Sequence, residues 1–208
     1  SGSSKWARAA HPATPGSSTR DHLNMTHIYM VRHGQADAAW HENPNPGLSA
    51  LGLQQAQQAA LQLQHLNNVH IISSPLLRCQ QTAQPFADAK NTPVSIHPEV
   101  SEIPTPSNVA FEQRGPWLQQ AMAGTWQQLG QQFVDYKNDV GNFIKSLTHD
   151  TVVFSHFIAI NALIGFVTNN DNLMIAQLDN CSITTFHLDH NNHLTLVDTG
   201  NQAATTVG

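Results

Sequence analysis

The chain has 208 residues, 40% of them hydrophobic and only 11% charged, with a net charge of -5. That length fits a single domain with a substantial core, and an acidic balance without a basic stripe excludes nonspecific nucleic-acid binding. No apolar run approaches the roughly 18 residues of a membrane span, and the two cysteines, Cys79 and Cys181, are far apart in sequence, which predicts reduced thiols in a cytoplasmic protein rather than a disulfide framework.

The first 24 residues are rich in Ser, Ala, Pro and Gly and carry no apolar periodicity or signal-peptide h-region. They read as a disordered or vector-derived leader, with one domain over 25–208. His27-Ile28-Tyr29-Met30-Val31-Arg32-His33-Gly34 follows as a buried strand that stops at a glycine turn. Gln35 to Gly47 is a loop stiffened by Asn43-Pro44-Asn45-Pro46. Ser49 is placed to cap a helix running to about Leu66. Val69 to Ile72 is a second short buried strand, and Pro75 marks the start of a second helix carrying Leu76, Leu77, Cys79, Ala83 and Phe86.

A third strand spans Val94 to Ile96 and leads toward Glu102, before Pro104 and Pro106 impose an irregular loop. Phe111 to Lys145 is helical in character, with Gly115, Gly124, Gly130 and Gly141 as possible breaks; residues 104–145 are expected to form a helical cap. Thr151 to Phe154 is a fourth strand, and Phe157 to Val167 is a helix apolar nearly all round, hence buried. Ser182 to Leu188 and His193 to Val197 form a hairpin across Asp189-His190-Asn191-Asn192. Strands alternating with helices predict an α/β fold of three layers, a mostly parallel sheet with helices on both faces. Sites in such sheets lie at the carboxyl ends of strands, where Arg32-His33, Ser73 to Arg78, Glu102 and Ser155-His156 all fall.

Those residue types point to phosphorus. A neutral imidazole attacks phosphorus and leaves as a phosphohistidine, which assigns His33 as nucleophile; among 13 histidines a lone one is otherwise ordinary. Arginine forks hold phosphoryl oxygens with direction, which assigns Arg32 and Arg78. The alternative for Arg78 is a solvated helix residue. His156 follows a buried strand and precedes a buried helix, so its ring and the helix amino terminus both face a phosphate; the alternative is a satisfied core histidine. No pair has His-x-x-x-His spacing with an acid beside it, so no metal is assigned.

Four stretches resemble the histidine phosphatase superfamily, also called the phosphoglycerate mutase-like family. They are His27 to Gly34, Pro46 to Gly52 with Gln55-Ala56, Ser73-Ser74-Pro75-Leu76-Leu77-Arg78-Cys79-Gln80-Gln81-Thr82-Ala83, and Ser155-His156. The resemblance runs from Thr26 to about Val197. It implies a phosphoglycerate mutase-like fold and a phosphomonoesterase that works through phosphohistidine without a cofactor or metal. It also implies an acid in the segment Ser101-Glu102-Ile103-Pro104, which assigns Glu102 to protonate the leaving oxygen; Glu99 and, further off, Glu112 compete.

Two departures stand out. The family often has glycine where Phe157 follows His156, and many relatives carry a phosphate-contacting asparagine near Ala39, where Ala38 and Ala39 stand. Gln35, Asn43 or Asn45 is the expected substitute, or none is. Arg114, Trp117 and Trp126 are placed near the substrate mouth, with core packing the better reading for the tryptophans; Cys79 reads as a small buried filler. The expected partner is a small phosphorylated substrate, with no nucleic acid and no membrane, and the protein a monomer or homodimer. Alternatives within the chemistry are a mutase and a phosphohistidine-protein phosphatase; outside it stands a non-catalytic phospholigand-binding module.

Overall fold

The computed structural model describes residues 25–38 and 42–200; the leader and Ala39 lie outside the described residues. Six strands form one sheet: β1 (Thr26–Arg32), β2 (His70–Ser73), β3 (Val94–Ile96), β4 (Thr151–Ser155), β5 (Ile183–Leu188) and β6 (Leu194–Asp198). Their order is β3-β2-β4-β1-β5-β6. The pairs β3–β2, β2–β4 and β4–β1 are parallel, and β5 and β6 add an antiparallel edge, as the short hairpin connection requires. The expected mostly parallel sheet is therefore present, with β4 at its centre and wholly buried.

Six α-helices complete the described fold: α1 (Ala50–Gln62), α2 (Leu77–Lys90), α3 (Arg114–Met122), α4 (Trp126–Leu129), α5 (Gln131–Lys145) and α6 (Phe157–Thr168). Strand periodicity distributes the core between two faces. Val31, Ile71, Val152 and Phe154 point to one face and pack with Leu63, Ala83 and Phe86 of the α1–α2 layer. Ile28, Met30, Ile72 and Val153 point to the other and pack with Val140 and Ile144 of α5 and Ile160 and Leu163 of α6. Fully buried apolar residues all round α6 explain why its sequence has no polar face.

Some boundaries differ from expectation. Ser49 does cap α1, its Oγ accepting from the Gly52 N–H, but the helix ends at Gln62 rather than Leu66. α2 begins at Leu77, two residues after Pro75, because the preceding Leu76 remains extended. The expected cap over 104–145 divides. Its first part, 104–114, borders the cavity described below, whereas α5 packs against α6 in the core layer. Gly124 and Gly130 do separate helices, but Gly115 and Gly141 lie inside them. Gly141 is there for proximity: a Cβ at this position would stand 2.4 Å from the Phe166 ring.

Among the described residues no helix is long and apolar enough to cross a membrane, and both cysteines are buried and unpaired. Trp126 is fully buried and Trp117 packs against the same core, ring to ring with Phe133 at 5.8 Å, so the packing reading holds for both tryptophans.

Candidate active site

The site grows from two neighbouring parallel strands. β1 and β4 are in register with Arg32 opposite Ser155, so the next residues, His33 and His156, emerge side by side at the carboxyl edge. The ladder continues one step beyond the strands, the His33 N–H donating to the Ser155 carbonyl at 3.0 Å. The two imidazoles meet edge to face, 5.4 Å apart between centroids. β2 lies on the other side of β4 and delivers Ser73-Ser74, after which α2 returns Arg78 over both rings. His33, Arg32, Arg78, Glu102 and His156 are each between 0 and 8% exposed, far from the usual state of charged side chains.

The hydrogen bonds fix both histidine tautomers. A carbonyl only accepts, so the His33 Nδ1, 2.7 Å from the Gly34 oxygen, carries the proton. That leaves the Nε2 lone pair facing Arg78, whose Nε–H donates to it at 3.3 Å. Arg78 Nη2 is 3.4 Å from the His156 Nδ1 and can only donate, so the His156 proton is on Nε2, which donates to Ser74 Oγ at 2.8 Å. Burial pushes the His33 pKa down to about 3, helped by the charges of Arg78 and Arg32. Burial, with His33 and Arg78, likewise lowers His156 well below the ordinary range. Both rings are neutral at physiological pH, and His33 presents an unprotonated nitrogen.

Arg32 is held from several directions. Its Nη1 donates to the Leu178 carbonyl at 2.7 Å, and its guanidinium carbon lies 5.0 Å from the centroid of the Phe157 ring. Its buried Nε has no partner among the described residues. The loop from Leu178 to Ser182 clamps the Arg32-His33 dipeptide through its backbone as well. Cys181 N–H donates to the Arg32 carbonyl at 2.9 Å, Arg32 N–H to Ser182 at 3.2 Å, and Asn180 Nδ2 to the His33 carbonyl at 3.1 Å. Cys181 adopts a left-handed conformation to do so, at φ 57°, which a non-glycine residue seldom takes.

Glu102 takes a position that sequence does not predict. Its Oε2 accepts from Ile158 N–H at 3.2 Å, and its Oε1 from Ala159 and Ile103 N–H groups, each at 3.1 Å. The carboxyl thus closes the amino end of α6, where orphan donors and the helix dipole favour a negative group. Two of the amides at the helix end that was expected to face the phosphate, Ile158 and Ala159, are thus taken by Glu102. Burial still raises the Glu102 pKa, against the lowering effect of those backbone N–H groups and of Arg78.

Glu102 and Arg78 share a cavity of about 290 Å³ with Arg114, Asn43, Thr105 and Phe111. Arg114 Nη2 donates to the Ile103 carbonyl at 3.0 Å, and Nη1 donates to Thr105 Oγ1. Tyr136, invisible as a site residue in the sequence, donates from α5 to the Ser101 carbonyl at 2.8 Å, beside Glu102 and Arg114. Of the three amides expected to replace the missing asparagine, Asn43 alone lines this cavity. Gln35 is exposed and its Oε1 accepts from Ser49 Oγ at 2.9 Å, while Asn45 Oδ1 accepts from Leu77 N–H at 2.9 Å. Gln35 is therefore spent on the start of α1 rather than gathered with the arginines. Cys79 is fully buried, its Sγ 3.4 Å from the His156 Nε2.

A six-stranded α/β sheet of this order, with helices on both faces, defines a phosphoglycerate mutase-like domain. The chain belongs to the histidine phosphatase superfamily (branch 1), whose family model matches residues 28–201. It is 37% identical over 83 residues to a "Probable phosphoglycerate mutase GpmB" of Enterobacter sp. (strain 638), a match covering 38% of this chain and 39% of that relative. It resembles the crystal structure of phosphoserine phosphatase from Entamoeba histolytica in complex with 3-phosphoglyceric acid, with a TM-score of 0.68, 22% identity and coverage of 85% and 98% of the two chains. It also resembles a mycobacterial glucosyl-3-phosphoglycerate phosphatase, with a TM-score of 0.66, 18% identity and coverage of 86% and 100%.

Proposed function

We propose that this protein hydrolyses small phosphomonoesters through a phosphohistidine on His33, without a metal. The observation that carries the reading is the state of His33. Its ring is neutral, its Nδ1–H is committed to Gly34, and its Nε2 lone pair faces the guanidinium of Arg78. A phosphoryl oxygen that takes the Arg78 N–H frees that lone pair for attack. The unpartnered, buried Arg32 Nε offers a second oxygen its donor.

In the first step a P–N bond forms at His33 Nε2 as the ester P–O bond breaks. The leaving oxygen takes a proton from Glu102. Oε1 already accepts two N–H bonds whereas Oε2 accepts one, so Oε2 is the oxygen with a lone pair for that proton. In the second step water attacks phosphorus, Glu102 takes its proton, and Nε2 leaves. Arg78 balances the anionic transition state, and His156, whose Nδ1 accepts from the Arg78 Nη2 at 3.4 Å, holds that guanidinium in place. A cavity of about 290 Å³ lies near the roughly 300 Å³ lower bound of small-molecule pockets. That size suits a compact metabolite, in keeping with neighbours named for phosphoserine and glucosyl-3-phosphoglycerate.

A mutase is the second reading, favoured by the 37% identity to a mutase relative over 83 residues. A panel of phosphorylated metabolites that includes 3-phosphoglycerate separates the two. Phosphate release as the faster event supports the phosphatase. Isomerisation to 2-phosphoglycerate outpacing release establishes the mutase, and release that depends on added metal removes the phosphohistidine route.

A further inference from the structure

We propose that the Phe157 ring is a positioning residue for Arg32, fixing its guanidinium by a cation–π contact so that Nε stays turned toward the bound phosphoryl group. The proposal rests on the reading of Arg32 as a phosphate ligand. Phe157 directly follows His156 and opens α6, so its backbone N–H lies at the start of that helix. Here the first residue of α6 supplies a ring as well. The Arg32 guanidinium carbon is 5.0 Å from its centroid, inside the roughly 6 Å within which such attraction operates.

The surroundings make this contact stronger than its exposed equivalents. Phe157 is 2% exposed and Arg32 8%, so water does not screen the pair. Among the described residues Arg32 has one side-chain hydrogen bond, Nη1 to the Leu178 carbonyl at 2.7 Å, and its Nε has no partner. A guanidinium pinned at one nitrogen can still pivot about that hydrogen bond. A ring against its face removes the pivot and leaves the Nε edge available. Phe157 is itself buried at the start of α6, in the core cluster that also holds Ile158 and Ile160.

Fluorinated phenylalanines test this with little change of shape, because each fluorine weakens the negative face of the ring. Mono-, di- and trifluorophenylalanine placed at position 157 of the full chain are expected to weaken binding of inorganic phosphate stepwise. By calorimetry the loss reaches roughly 30-fold across the series, the usual worth of a desolvated cation–π contact. The rate of phosphohistidine formation is expected to fall in the same order. Trifluorophenylalanine at Phe186, buried in the same core, is expected to leave phosphate affinity unchanged, which a merely structural effect of fluorination does not predict. Equal phosphate affinity throughout the 157 series, with phosphate still bound and His33 still phosphorylated, overturns the role of Phe157 alone. A wild-type protein that neither binds phosphate nor forms phosphohistidine overturns both this role and the reading of the site.

Discussion

Glu102 is asked to do two things: close the end of α6 and protonate the leaving oxygen. If it is the acid, Glu102→Gln slows phosphoryl transfer from alkyl phosphates by roughly 100- to 10,000-fold, the worth of a positioned acid. Transfer from a nitrophenyl phosphate, whose leaving group needs little protonation, slows far less. Equal slowing for both in rapid-quench measurements assigns Glu102 to positioning instead. Gln retains one oxygen to accept N–H groups, so the cap is weakened by only about 1 kcal/mol. Arg32, His33 and His156 were legible in the sequence because they stand at or just past the ends of β1 and β4, and Arg78 and Glu102 because they lie in the segments that follow β2 and β3, where the sheet gathers chain ends. Asn180 and Tyr136 were not. Asn180 reaches His33 across 147 residues, and neither carries a spacing pattern that marks it. Gln35 was misplaced for the opposite reason: nearness to His33 in sequence says nothing of Ser49, which its side chain meets after the chain turns.

At the scale of elements, the turn after β1 and the start of α1 fit together because two glycines touch. A Cβ on Gly34 would lie 2.7 Å from the Gly52 carbonyl oxygen, and one on Gly52 would lie 2.2 Å from the Gln35 carbonyl oxygen. Backbone atoms cannot yield as a flexible side chain does. Gly52→Ala is therefore expected to cost about 1–3 kcal/mol in chemical denaturation and to lower the rate of His33 phosphorylation, since the Gly34 carbonyl that orients the ring must shift. Gly115→Ala is the control. Nothing lies within 4 Å of its added Cβ, and replacing a helical glycine is expected to leave the denaturation midpoint unchanged or raise it. The same contrast explains why the helices between 111 and 145 were only partly legible. Glycine at a break, as at Gly130 with φ 108°, and glycine at a close contact, as at Gly141, look alike in sequence.

For the whole molecule, burial of the two site histidines sets the response to acid. The folded His33 pKa is about 3, against 6.5 for the ordinary group, and His156 is shifted the same way. Below pH 6.5 the unfolded chain binds protons that the folded chain refuses, so each histidine removes about 1.4 kcal/mol of stability per unit of acidification. Glu102 acts oppositely. Its folded pKa lies above 4.5, so acidification through that raised value relieves the cost of a buried charge. Two groups against one leave a net loss, and Tm is expected to fall between pH 6.5 and 5. In His33→Gln one histidine remains against one carboxylate, and the slope of Tm with pH is expected to flatten. The sheet, its layers and its order of elements were legible because alternation of strands and helices is written in residue pattern. The joining of Glu102 to α6 was not, because it depends on tertiary approach.

The account stands on His33 carrying the phosphoryl group. Labelled phosphomonoester quenched without acid, followed by peptide mapping, reads this directly. The predicted result is one labelled histidine, His33, with no label in His33→Ala and with turnover lost in that variant while its far-ultraviolet spectrum is unchanged. Label on His156 or on a serine, or turnover in His33→Ala at the wild-type rate, contradicts it.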